Sequence, residues 1–208
     1  MLLLPIFVEV SGMRTWQKRV LKGFTLLLAM VAVLYAFSSG PPPGRTGGFG
    51  ESTCQDCHEF GPSDNGSFAI LGVPDTYTPG QDYPIMVVLS QPGQMRWGFQ
   101  LAARFQADGS QAGNLSITDP DNTQILMNDS GIQYVEHTSA GTYEGTADGP
   151  VSWGFTWTAP IDPSLGTVEF DAAGNAANGD HTPSGDYIYT TNVTSGAPSA
   201  GLKPVPRR

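Results

Sequence analysis

The chain has 208 residues, with ten Lys and Arg against nineteen Asp and Glu, a net charge of -9, and only 14% charged residues. That balance excludes a nucleic-acid binder, because a phosphate backbone needs a basic face. Abundant glycine (26) and proline (17), with aromatic and β-branched residues recurring throughout, exclude a disordered acidic tail.

Residues 1–38 have the layout of an export signal. A basic cluster of Arg14, Lys18, Arg19 and Lys22 precedes an apolar run from Gly23 to Phe37, and small residues follow. The hydrophobic helix expected here is shorter than the roughly 20 residues of a membrane span. A cleaved signal peptide and a retained N-terminal membrane anchor are both open. No cysteine stands near the cleavage region, which argues against a lipoprotein. Residues 1–12 add a second apolar stub, and Met13 would make a more ordinary start. Four of the ten basic residues and Glu9 fall in this segment, leaving six basic and eighteen acidic residues, a net charge of -12. Such a chain suits a periplasmic or extracellular location and a basic or neutral partner. The remaining length is that of one domain with a sizeable core.

Residues 39–50, rich in Pro and Gly, read as a flexible tether. Residues 51–66 then carry "ESTCQDCHEF" on an expected short helical turn that Glu51 and Ser52 would cap. Covalent haem attachment needs two thiols that one tight turn can bring to the two vinyl groups, followed by an imidazole turned under the ring. Cys54, Cys57 and His58 have that spacing. A c-type haem is attached outside the cytoplasm, which agrees with the export signal. A Cys54–Cys57 disulfide is the first alternative, but thiol oxidoreductases of that kind use a βαβ pattern that is not present. Structural zinc would want four ligands, and only His137 and His181 remain to join the motif.

From residue 67 short apolar stretches alternate with Gly/Pro/Asn/Asp turns. "RWGFQLAARF" puts Trp97, Phe99, Leu101, Ala103 and Phe105 on one face, the pattern of a strand with one buried face. "VSWGFTWTAP" does the same with Trp153, Phe155 and Trp157. With "SFAILGVP", "PIMVVLS", "GIQYVEHTSAG", "GTVEFDAAGNAANG" and "DYIYTTNV", about seven strands over residues 67–193 predict an all-β, antiparallel, immunoglobulin-like sandwich. Residues 194–208 read as a flexible tail. Asp119, Asp121, Asn122 and Asp129 lack calcium-loop spacing and read as an acidic turn cluster.

The stretches "YTPGQDYPIMVVLS", "RWGFQLAARF", "YVEHTSAGT", "WGFTWTAP" and "GTVEFDAAGNAANGDHTPSGDYIYT" together resemble the reeler domain of secreted bacterial proteins. The resemblance implies the same sandwich but little about activity. Relatives with a CxxCH segment before the sandwich resemble c-type cytochromes. In these the "EHTS" stretch carries a histidine, which makes His137 the first candidate for the second axial position on iron. His181, in a Gly/Asp-rich loop, is the second candidate, followed by Met95 or an open site. Met86 and Met127 read as core fillers. Trp97, Trp153, Trp157, Tyr134, Tyr187 and Tyr189 read as sandwich core before haem wall.

The expectation is an electron carrier rather than an enzyme. It would be a monohaem c-type cytochrome with one haem c held by Cys54 and Cys57, His58 proximal and His137 distal. Redox proteins would be its partners, among them a membrane-embedded electron-transfer complex. A reeler-type binding or adhesion module with a disulfide or structural haem is the alternative, and a haem-based sensor or peroxidase-like enzyme with an open iron site is a third.

Overall fold

The computed structural model describes residues 38–199, together with Thr15, Gln17, Arg19 and Lys22. The expected signal or anchor and the end of the expected tail lie outside the described residues. Among the described residues no helix is long and apolar enough to cross a membrane.

Among the described residues nine strands follow the cysteine segment: β1 Ser67–Leu71, β2 Asp82–Ser90, β3 Arg96–Phe105, β4 Asn114–Ile117, β5 Thr123–Met127, β6 Gln133–His137, β7 Val151–Thr158, β8 Val168–Ala177 and β9 Tyr187–Ser195. They form two antiparallel sheets, β1-β2-β7-β4 and β5-β6-β3-β8-β9. This is the antiparallel sandwich the alternating patterns predict. The two strands not foreseen, β4 and β5, are short edge strands. Only Leu115 of β4 enters the core, so four residues there carry no periodic signal. Of the acidic cluster, Asp119, Asp121 and Asn122 form the turn between them, where Asp119 accepts from the Asn122 side chain at 2.7 Å, and Asp129 lies in the turn from β5 to β6.

The core lies where the inner faces meet. Phe99 of β3 stacks on Trp153 of β7 at 4.6 Å, and Trp157 meets Phe170 of β8 edge-on at 4.8 Å. Each buried indole finds an acceptor: Trp97 on Thr146 O, Trp153 on Gly141 O and Trp157 on Ala112 O. A buried donor without a partner would cost about 1–3 kcal/mol. Tyr189 belongs to this core and Tyr187 packs against it, whereas Tyr134 belongs to a separate cluster with Ala102 and Ile132. Met86 and Met127, expected in the core, are instead 44% and 59% exposed. Met86 pairs with Leu71 and Gly154 in its ladders, on the face of β2 that alternates away from the core residues Ile85 and Val87.

β3 is buried on both faces rather than on one. The cover is the segment expected as a flexible tether. Arg45 N donates to Gln100 Oε1 at 2.6 Å, and Gln100 Nε2 donates to Pro42 O at 3.1 Å. Gln124 Nε2 donates to Ser39 O. Gly48 lies so close to the sheet that a Cβ on it would stand 2.2 Å from the Asp171 carboxyl. The missing side chains let the backbone approach the strands directly, and glutamines of the sheet satisfy its carbonyls and amides.

Covering this face also encloses Glu136, which accepts from Gln100 Nε2 at 2.8 Å and Gln124 Nε2 at 3.1 Å. Burial pushes its carboxyl up to about 7, against the pull of those two amides. A folded value above the ordinary 4.5 means that its contribution to stability is complete below pH 4.5 and is lost as pH rises through about 7. Asp171, pushed up to about 6 mainly by burial, acts in the same direction, and His137, pushed down to about 4, acts in the opposite one. Comparing wild type with Glu136→Gln by urea unfolding isolates the first contribution. Wild type is expected to lose up to about 3 kcal/mol relative to the variant between the two ends of that window. A difference that does not change with pH would mean that Glu136 is ordinary.

Candidate functional site

Cys54–Asp56 forms one 3-10 turn. Its cap is Thr53, whose side chain accepts from Gln55 N, rather than Glu51 or Ser52. Glu51 is used elsewhere. Its carboxylate takes Arg104 Nη2 and the Tyr134 hydroxyl at 2.5 Å each and the Thr46 hydroxyl at 2.6 Å. Those bonds tie the chain just before the turn to β3 and β6. Just after it, Glu59 N donates to Pro183 O, and Ile188 N donates to Phe60 O. The motif is therefore anchored to the five-stranded sheet from both sides.

Both thiols are free, with Cys57 exposed and Cys54 half-buried. Burial pushes the Cys54 thiol up to about 12. Thiol-redox pairs depend on the opposite shift, which argues against that use of the motif. A polar pocket of about 540 Å³ opens on the far side of the turn, lined by Thr46, Thr53, Asp171, Thr190 and Asn192 among others. Its hydroxyl and carboxylate lining suits water rather than a porphyrin.

His58 turns onto the outer face of the sheet. Its Nδ1 lies 2.6 Å from Asp186 Oδ2, and Asn175 Nδ2 lies 3.3 Å from Nδ1 and 3.2 Å from Nε2. Asn175 is on β8, in the register that alternates with the core residue Ala176. Its Oδ1 is buried and has no partner among the described residues.

His137, at the end of β6, is buried. The β3–β6 ladder stops at Gln100–Glu136, and the His137 ring replaces its next rung. Nδ1 lies 3.1 Å from Phe99 N and 3.2 Å from Phe99 O. The Phe99 N–H donates to an unprotonated Nδ1, which places the ring proton on Nε2; in the other tautomer Nδ1 donates to the Phe99 carbonyl and the Nε2 lone pair is open. The ring occupies the space that Gly98 leaves empty, where a Cβ would come within 2.7 Å of Cε1. Burial pushes His137 down to about 4, so the ring is neutral at pH 7, as a ligand must be.

Gly98 and Asn175 are register partners across β3 and β8. Both alternate away from the core, so each carries an imidazole on the outer face of the sheet. Neighbouring strands are about 4.8 Å apart. Two histidines 79 residues apart in sequence are thus brought against paired positions on one face of the sheet.

His181 has both ring nitrogens engaged. Nδ1 is 2.7 Å from Arg96 Nη1 and Nε2 is 3.3 Å from Glu144 Oε1. Met95 is 42% exposed and packs against Gly179. Among the described residues no group of three or more His, Cys, Asp or Glu could hold a bare metal ion. Haem iron asks for less, since the porphyrin supplies four nitrogens and the chain only two axial groups. The residue types such a group would use are present: two free thiols, two imidazoles held by named partners and an orphaned Asn175 oxygen.

Asp186, Asn175 and Gly98 were not foreseen. Gly98 had a signal, because a glycine inside an alternating strand marks close approach by another group. Asp186 and Asn175 had none.

No family model and no curated protein matches the chain. Among solved structures it is similar to the human F-spondin reeler domain, with 24% identity over 66% of this chain and 93% of that chain and a TM-score of 0.42. A second structure, the Reelin-N domain of F-spondin, has 22% identity over 68% and 94% of the two chains and a TM-score of 0.43. A cohesin module from a Clostridium perfringens family 33 glycoside hydrolase has 10% identity over 64% and 95%, with a TM-score of 0.40.

Proposed function

We propose that this chain is a reeler-type, monohaem c-type cytochrome that carries single electrons outside the cytoplasm. The observation that carries the reading is that His58 lies against Asn175 and His137 against Gly98, which are register partners across β8 and β3. Cys54 and Cys57 would hold the haem through thioether bonds, and His58 and His137 would take its iron. When bound, the haem supplies the one-electron carrier chemistry. The chain's own residues orient the two imidazoles: Asp186 and Asn175 hold His58, and the Phe99 backbone with Gly98 holds His137. Glu51, fastened by Arg104, Tyr134 and Thr46, keeps the cysteine turn against the sheet. With His58 and His137 both on iron, the haem would serve an electron carrier rather than an enzyme. The acidic surface suits a basic or neutral redox partner. A membrane electron-transfer complex is one such partner, and a retained N-terminal segment would keep the protein beside it.

The test is the absorption spectrum of the exported protein after acid-acetone extraction. Sharp reduced-form bands that stay with the polypeptide are expected, and they should disappear in Cys54→Ser/Cys57→Ser. A polypeptide without haem would overturn the reading and leave the binding-module alternative.

A further inference from the structure

The two imidazoles are held by unlike partners. His137 Nδ1 meets a neutral backbone carbonyl at 3.2 Å. His58 Nδ1 meets a carboxylate at 2.6 Å. That carboxylate belongs to Asp186, which is 1% exposed and whose other oxygen accepts from Asn178 N at 3.1 Å. Both oxygens are therefore occupied and the group is fixed. Asn175 Nδ2 lies 3.3 Å from Nδ1 and 3.2 Å from Nε2 of the same ring, so this amide would have to swing off Nε2 for that nitrogen to bind iron. A short bond from an imidazole N–H to a buried carboxylate raises the basicity of the opposite nitrogen and fixes the tautomer and ring plane.

We infer that Asp186 is a positioning residue that draws the His58 Nδ1 proton toward itself, making Nε2 the stronger of two unequal axial donors and setting a low reduction potential. This rests on the haem reading. A more basic axial nitrogen favours the oxidised iron over the reduced iron, because the extra donated charge offsets the higher metal charge. Replacing the carboxylate by an amide of the same size removes that charge and leaves the shape.

The test compares exported wild type with Asp186→Asn by redox titration and by EPR of the ferric form. In the variant, the ratio of oxidised to reduced haem at a fixed potential is expected to fall at least about tenfold, which is 59 mV for a one-electron couple. Its low-spin g values should move toward those of a neutral bis-imidazole haem. A loaded variant whose ratio changes less than about twofold and whose g values stay put overturns the role of Asp186 but leaves the cytochrome standing. If the variant takes up no haem, the wild type decides alone: g values of a neutral bis-imidazole pair overturn the inference, and those of a pair with imidazolate character support it. Wild type without covalent haem overturns the cytochrome reading itself.

Discussion

Replacing His137 with alanine is expected to turn the low-spin spectrum of the holoprotein high-spin, while the haem stays covalently attached. On the haem reading attachment would depend on Cys54 and Cys57, which lie far from residue 137 in sequence and on a separately anchored turn. The sixth position depends on an imidazole that is neutral at pH 7, is fixed through Nδ1 on the Phe99 backbone, and stands over a residue with no side chain. Losing it should reduce the low-spin fraction on the order of tenfold or more, by analogy with the cost of losing groups that orient a ligand. Added imidazole should restore the low-spin bands by entering the space vacated over Gly98. Removing the ring also opens the end of the β3–β6 ladder, so a stability cost of about 1–3 kcal/mol is expected beside the spectral change. His181→Ala should leave the spectrum alone, because that ring is exposed in its loop and sits between Arg96 and Glu144. An unchanged low-spin spectrum in His137→Ala would remove His137 from the iron, and a change in His181→Ala instead would put His181 there.

Trp157→Ala is expected to lower the melting temperature by about 10–15 °C. The indole is fully buried, meets Tyr77, Tyr83 and Phe170, and donates to Ala112 O at 2.9 Å. Removing a large buried aromatic side chain costs about 3–5 kcal/mol. The orphaned Ala112 carbonyl adds a penalty wherever water cannot reach it. A domain of this size loses about 2–4 °C per kcal/mol. Because total stability is about 5–15 kcal/mol, the variant would sit near the edge of folding. Calorimetry of the two proteins checks the figure. Met86→Ala, at an exposed position on β2, is the contrasting control and should fall within about 0.5 kcal/mol of wild type. A similar loss for both would mean that the inner and outer faces of the first sheet had been misjudged.

The sandwich was legible because alternation over eight to ten residues, as in β3 and β7, leaves few alternatives once Gly/Pro turns interrupt it. The edge strands β4 and β5 were not legible, because short, half-exposed strands need little apolar pattern. The tether was misread for a related reason. Composition reports that a Pro/Gly segment has few side chains to bury, but not whether its backbone finds acceptors. Here Gln100 accepts from Arg45 N, Gln100 and Gln124 donate to the Pro42 and Ser39 carbonyls, and Gly48 fits closely over Asp171.

Within the candidate site the division is sharp. The spacing of Cys54, Cys57 and His58 is local chemistry, readable from five consecutive residues. The alternating core of the sandwich is likewise written in the chain, because period and burial are linked through the pleat. What pairs with His58 across the sheet, which groups grip each imidazole, and why residues 39–50 lie flat are all matters of strand order and register. Gly98 faces Asn175 only because β3 and β8 pair antiparallel at that offset. Asp186 reaches His58 only because the loop after β8 folds back over the cysteine segment. Such contacts join positions 55 to 128 residues apart, and local propensity and periodicity carry no information over that separation. Packing alone decides them.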